Sequence, residues 1–84
     1  MNWEKLKTFY KVAKAGSFMS ASKIENKSQS TFSRAVIDLE YDIKTKVLAR
    51  NNKGVDLTED GKNLLAIVED FSKKLDHFSK NAKK

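Results

Sequence analysis

With 84 residues, no cysteine and a formal net charge of +6, the chain has room for one domain and no disulfide to staple it. The missing thiols exclude cysteine-type zinc fingers and thiol catalysis, and they fit a reducing cytoplasm. Cations outnumber carboxylates eleven to six over residues 1–57 but only six to five over 58–84. The excess therefore lies where a footprint for a polyanion would be expected, although a lysine-rich surface also serves solubility alone.

No apolar run approaches the ~20 residues that a membrane span requires. Met1-Asn2-Trp3-Glu4 opens directly into an amphipathic pattern and does not resemble a signal peptide. A soluble, cytoplasmic chain with no membrane partner is the expectation.

From Trp3, the residues Leu6, Phe9, Tyr10 and Ala13 recur at steps of three and four and predict a first helix. Gly16 stands where that helix should end in a left-handed residue. Ser17 then suits the N-cap of a short second helix through Phe18, Ala21 and Ile24. Glu25-Asn26-Lys27 is a polar break of about one turn. Ser28 is the next N-cap, and Phe32, Val36, Leu39 and Ile43 give a third helix, about 28–43, with a clear inner face. Two helices joined by so short a polar turn form a helix-turn-helix candidate, a spacing that any three-helix bundle also offers.

The period then changes. Val47-Leu48-Ala49-Arg50, Asn51-Asn52-Lys53-Gly54 and Val55-Asp56-Leu57 read as two short strands around a turn, a wing over 47–57 with Gly54 supplying a positive φ. Such a hairpin cannot stand alone in water and must lean on the helices. Thr58 caps a long helix with Glu59 and Asp60 in its first turn, and Lys80, Lys83 and Lys84 suit its far end. Leu64, Val68, Phe71, Leu75 and Phe78 alternate at steps of four and three, the a/d seam of a short coiled coil. From 59 to 82 the helix would run about 36 Å, too long to pack fully on so small a body. The stripe therefore calls for a second copy of the chain, unless it folds back as ordinary core.

No enzyme site emerges, and neither cofactor nor metal is expected. His77 is the single histidine and sits on the long helix between Leu75 and Phe78 with no second ligand at metal spacing. The carboxylates are scattered singly, and Asn51-Asn52-Lys53-Gly54 has one glycine and no resemblance to a phosphate cradle.

The residues that carry a family resemblance are now in place. Leu6-x-x-Phe9-x-x-Val12 with Gly16-Ser17-Phe18, then Ser20-Ala21-Ser22-x-Ile24, then Ser28-Gln29-Ser30-x-x-Ser33-Arg34 with Val36 and Leu39-Glu40, and finally Arg50, Lys53-Gly54-Val55 and Leu57-Thr58-x-x-Gly61 follow in order. Together they resemble the N-terminal DNA-binding domain of LysR-type transcriptional regulators from about Leu6 to Gly61. The resemblance implies a mainly α winged helix-turn-helix: a three-helix core plus a two-stranded β wing over 1–57, followed by a linker and dimerisation helix over 58–84. It also implies a homodimer through that helix. Family members usually continue into an effector-binding domain, so a small-molecule effector is implied only if such a C-terminal domain follows; as it stands the chain corresponds to an isolated DNA-binding domain or a natural short form. Four positions depart from the family pattern: Ser30 replaces a proline, Ala35 a long polar residue, Lys44 a glycine, and Val47-Leu48 a Leu-Phe pair. Lys44 is expected to accept a left-handed conformation at a cost of about 1 kcal/mol.

The implied function is sequence-specific binding of double-stranded DNA in transcription regulation. With Phe32, Val36 and Leu39 inward, Gln29, Ser30, Ser33, Arg34 and Ile37 lie outward on a helix that fits the major groove. Gln29 suits adenine and Arg34 suits guanine; an i,i+4 ion pair of Arg34 with Asp38 is the structural alternative, and the two can hold together, with Asp38 steadying Arg34 for the groove. Ser28 can cap the helix and bond a phosphate. Arg50 and Lys53 on the wing suit phosphates or the minor groove, or are solvated turn residues. Ile37 either touches a thymine methyl or is half-buried core, and the sequence favours core. Lys5, Lys7, Lys11 and Lys14 are as readily solvated as used. The competing readings are a winged helix that docks protein, such as a short-form antagonist pairing with a full-length regulator, and a basic amphipathic chain that binds membrane or RNA without specificity.

Overall fold

The computed structural model describes residues 2–82. In chain order the elements are α1 (Trp3–Ala15), α2 (Phe18–Glu25), α3 (Gln29–Ile43), β1 (Leu48–Asn51), β2 (Gly54–Leu57) and α4 (Glu59–Ala82). This is the winged helix-turn-helix expected from the sequence, with its long terminal helix. Lys83 and Lys84, expected to close that helix, lie outside the described residues.

Local chemistry sets most of the boundaries. Asn2 Oδ1 accepts the Glu4 N–H at 2.7 Å to start α1. Gly16, left-handed at φ 85°, ends it by donating its N–H to the Val12 carbonyl. Ser17 Oγ accepts the Ser20 N–H at the head of α2, and Ser28 Oγ accepts the Thr31 N–H at the head of α3. Two non-glycine residues close helices in the left-handed region, Asn26 after α2 and Lys44 after α3. The strain foreseen at Lys44 is therefore present, and its N–H is satisfied by the Glu40 carbonyl.

Phe9, Val12, Leu39 and Val47 are fully buried at the centre, with Phe18, Ala21, Phe32, Val36 and Leu48 around them. Ile24 is a correction to the expected inner face of α2. It is 75% exposed, while Ser22 turns inward and donates its hydroxyl to the Met19 carbonyl. With Phe18, Ala21 and Ser22 against the body, position 24 falls on the flank of the helix, away from the centre of its buried face.

The hairpin pairs Leu48 with Leu57 and Asn51 with Gly54, antiparallel. Its loop is two residues, Asn52-Lys53, rather than the four expected. Asn51 and Gly54 pair at its mouth, and the loop is tied by Lys53 N–H to Asn51 Oδ1 at 2.8 Å. Val47 precedes the strand instead of opening it.

Close contacts at both ends tie the hairpin to the helices. The Val55 N–H donates to the Gly16 carbonyl at 3.0 Å. Gly54 approaches that carbonyl so closely that a Cβ would sit 2.3 Å from the oxygen, and its φ is 142°. On the other side, Thr58 N–H reaches the Val47 carbonyl, Thr58 Oγ1 donates to the Lys46 carbonyl, and the same hydroxyl oxygen accepts the Gly61 N–H to cap α4. Gly61 lies so near Val47 that a Cβ would fall 2.0 Å from its carbonyl oxygen.

Gly61→Ala tests this packing. Alanine favours a helix interior by about 1 kcal/mol, but here the added methyl meets a backbone carbonyl that no rotamer can move. Urea denaturation should show a net loss of about 1–3 kcal/mol, the usual cost of overpacking.

Candidate nucleic-acid interface

The third helix presents two chemically distinct sides. Phe32, Val36 and Leu39 are buried, whereas Gln29, Ser30, Arg34 and Ile37 are exposed. The capping hydroxyl of Ser28 also lies 2.7 Å from Thr31 Oγ1 and 3.2 Å from Ser30 Oγ, giving the helix entrance a cluster of small hydroxyls. Neither the wing nor any other element encloses Gln29 or Arg34. Ser33 differs from expectation: it is half-buried and accepts a hydrogen bond from Arg50 Nη2.

Arg50 points back at the helices and not outward from the hairpin. Its guanidinium lies 4.3 Å from the ring centroid of Phe18, itself buried, while a nitrogen of the same group reaches Ser33. One side chain thus joins β1, α2 and α3. Lys53 sits exposed at the hairpin tip. Between wing and helices runs an open cleft of about 330 Å³, lined among others by Met19, Gln29, Arg50, Lys53 and Gly54.

The expected Arg34–Asp38 pair does not form. Lys5 Nζ stands 3.8 Å from Asp38 Oδ2, bridging α1 to α3, and Arg34 has no salt-bridge partner among the described residues. Lys7 and Lys11 pair with Glu4 and Glu25. The Lys11 contact holds the Glu25 carboxyl below its ordinary range. These exposed pairs contribute little to stability.

Glu40 stands in the family-like stretch of α3, but the sequence assigned it no role. It is 9% exposed, and its Oε2 accepts the N–H groups of Val47 at 2.9 Å and Leu48 at 3.2 Å, with Lys46 Nζ 3.7 Å from Oε1. The available signal was positional. Residue 40 lies four beyond Val36 and three before Ile43, on the inward face, where a carboxylate requires dedicated donors.

The expected seam of α4 is divided. Val68, expected to face a partner, is 3% exposed and covered by its own chain, while Leu64 is half-buried; both line the groove between α1 and α4. The cause is the junction at Val47, which lays the first turns of α4 across the body. Farther along, Phe71, Leu75 and Phe78 remain 50%, 46% and 68% exposed, joined by Ile67 at 65%. The Trp3 ring meets Phe71 edge-on at 5.1 Å. A shallow apolar groove of about 570 Å³ runs between α1 and α4, bounded by Trp3, Leu6, Ile67, Phe71 and Leu75. His77 is exposed, with Asn81 Nδ2 3.0 Å from its Nε2. Among the described residues no helix is long and apolar enough to cross a membrane.

The family described as bacterial regulatory helix-turn-helix protein, lysR family, matches residues 3–62. The chain belongs to the LysR family. Among curated relatives, the transcriptional regulator YofA of Bacillus subtilis is 35% identical over 78 residues, which cover 93% of this chain and 27% of YofA. The chain thus spans about a quarter of the length of that relative. Among solved structures, the LysR family regulator CbnR aligns with a TM-score of 0.88 at 28% identity, covering 99% of this chain and 29% of CbnR. The CbnR DNA-binding domain in its complex with DNA aligns over the full length of both chains with a TM-score of 0.79 and 29% identity.

Arg50→Ala should lower stability by about 1 kcal/mol through the lost stacking on Phe18. Amide exchange along 50–55 should quicken at the same time. A double-mutant cycle with Phe18→Leu should return a coupling of about 0.5 kcal/mol or more, as for residues in contact; zero coupling would mean that the stacking does not hold the wing.

Proposed function

We propose that the chain is the DNA-binding part of a LysR-family transcriptional regulator and binds double-stranded DNA sequence-specifically. In this reading α3 enters the major groove and the β1–β2 wing rests on the adjacent backbone or minor groove. The observation that carries it is the open polar side of α3, where Gln29, Ser30 and Arg34 stand exposed beside a cationic hairpin. The end-to-end likeness to a CbnR domain bound to DNA supports it.

Residues 1–57 form the DNA-binding unit and 58–84 the linker and dimerisation helix. Gln29 offers two hydrogen bonds matched to adenine, and the unpaired Arg34 matches guanine O6 and N7. Ser28 and Ser30 stand at the N-terminus of α3, where helix dipole and free amides attract a phosphate. Ser33 has its acceptor engaged by Arg50 and keeps its O–H to donate. Arg50 orders the wing and turns its remaining N–H groups to the backbone, while Lys53 reaches a phosphate or the minor groove from the tip. The chain acts as a regulator and not as an enzyme, in the cytoplasm, with any effector held by a domain beyond this one.

Two copies pair through the exposed half of the α4 stripe, Phe71, Leu75 and Phe78, together with Ile67 and the groove beside Trp3. Pairing would set two α3 helices on half-sites about one helical turn, or a multiple of it, apart.

Selection of bound duplexes from a random pool tests specificity and spacing together. Affinity for the selected inverted repeat should fall steeply with salt. Arg34→Ala should cost about 1–3 kcal/mol at one base position and flatten preference there. Lys53→Ala should weaken all duplexes alike and reduce the salt slope by about one. Equal affinity of the unmutated chain for every duplex would defeat the reading. Sedimentation should show dimers, and Phe71→Asp should yield monomers; an unmutated monomer at tens of micromolar would remove α4 as the pairing element.

A further inference from the structure

Ile37 contradicts its expected place in the core. It is 56% exposed, on the same side of α3 as Ser30, Ser33 and Arg34. These four positions are spaced i, i+3, i+4 and i+7, the stripe with which homeodomain recognition helices read bases. So exposed a β-branched aliphatic side chain leaves unused about half of the roughly 1.5–3 kcal/mol that full burial would provide. Nothing in the fold requires it at this position, because Val36 and Leu39 already fill the inner face.

The surroundings restrict what Ile37 can meet. A concavity of about 270 Å³ that Ile37 helps to line is bordered by Ser33, Leu48, the buried Glu40 and two cations, Lys46 and Arg50. Lys44 and Lys46 also border a second hollow lined by Ile37, together with Glu40 and Tyr41. The helix itself carries Arg34 as its one cation against Asp38, Glu40 and Asp42. Attraction to the phosphate backbone is therefore available from Lys44, Lys46 and Arg50 beside the helix, and beyond Arg34 the stripe offers at position 37 a neutral, short-range contact. On the floor of the major groove the one apolar group is the C5-methyl of thymine.

Resting on the proposed DNA-binding role, we infer that Ile37 is a specificity-determining residue that packs on a thymine methyl in each half-site. Three residues along a helix advance about 4.5 Å, against 3.4 Å for one base step. The thymine should therefore lie about one to two base pairs from the guanine read by Arg34.

The test uses the duplex selected by the unmutated chain. Each thymine of a half-site is replaced in turn by deoxyuridine, which lacks only the methyl. One position should lose about fourfold in affinity, the worth of one buried methyl-sized group. Ile37→Ala should bind the parent duplex as weakly as the unmutated chain binds that uridine duplex, and should no longer distinguish thymine from uracil there. Ile37→Val should retain part of the discrimination. Both variants should melt with the unmutated chain, since the side chain is exposed. Insensitivity to every uridine overturns the inference, as does a sensitivity that survives in Ile37→Ala. Ile37→Ala binding every duplex like the unmutated chain overturns it too, and assigns the residue to a protein contact. A pool yielding no preferred duplex defeats the functional reading and this inference with it. A preferred duplex indifferent to its thymine methyls defeats this inference alone.

Discussion

Val47 is where the recognition helix, the wing and the linker helix meet, and the arrangement of all three follows from how its backbone is satisfied. Its N–H is held by the Glu40 carboxylate, its carbonyl takes the Thr58 N–H, and Gly61 packs against that carbonyl without a Cβ between them. A carboxylate at a buried position would be strongly unfavourable without donors. Two amides, with Lys46 at its edge, turn it into a clamp that fixes how the chain leaves α3. The left-handed Lys44 is tolerated for the same reason: the clamp beyond it requires the turn.

Gly16 is the second fixed point. It ends α1, lets Ser17 begin α2, and offers its carbonyl to Val55. The hairpin is therefore held at both ends, by Gly16 at its loop side and by Val47 at its base, with Arg50 bracing its helix-facing side on Phe18 and Ser33. A two-stranded ribbon gains from this support the rigidity it lacks alone. The polar side of α3 and the hairpin tip are consequently set relative to each other before any ligand arrives, which lowers the ordering cost of a shared contact.

The features legible in the sequence were those with local causes. Gly16, Ser17, Ser28 and Thr58 announce helix ends through their own chemistry, and the inner face of α3 follows from its period. The features that were not legible depend on residues distant in the chain. Asp38 had a partner four residues away within reach, yet Lys5 of another helix takes it. Arg50 reads as an outward wing cation until Phe18 is seen beneath it. The stripe of α4 is one continuous pattern in sequence, and only the junction at Val47 divides it into a first part packed on the body and a farther part left largely exposed. The open side of α3 was placed correctly at Gln29 and Arg34. Ser33 and Ile37 each stood differently, the first drawn in by the wing and the second left out by a core already full.

The contact of Trp3 with Phe71 has an optical consequence. Trp3 is the sole tryptophan in the chain, and its half-buried indole stands at the mouth of the apolar groove between α1 and α4. Excluding water from that groove would shift the emission of this one fluorophore to shorter wavelength. The molecule thus carries an intrinsic reporter of whether its long helix is covered.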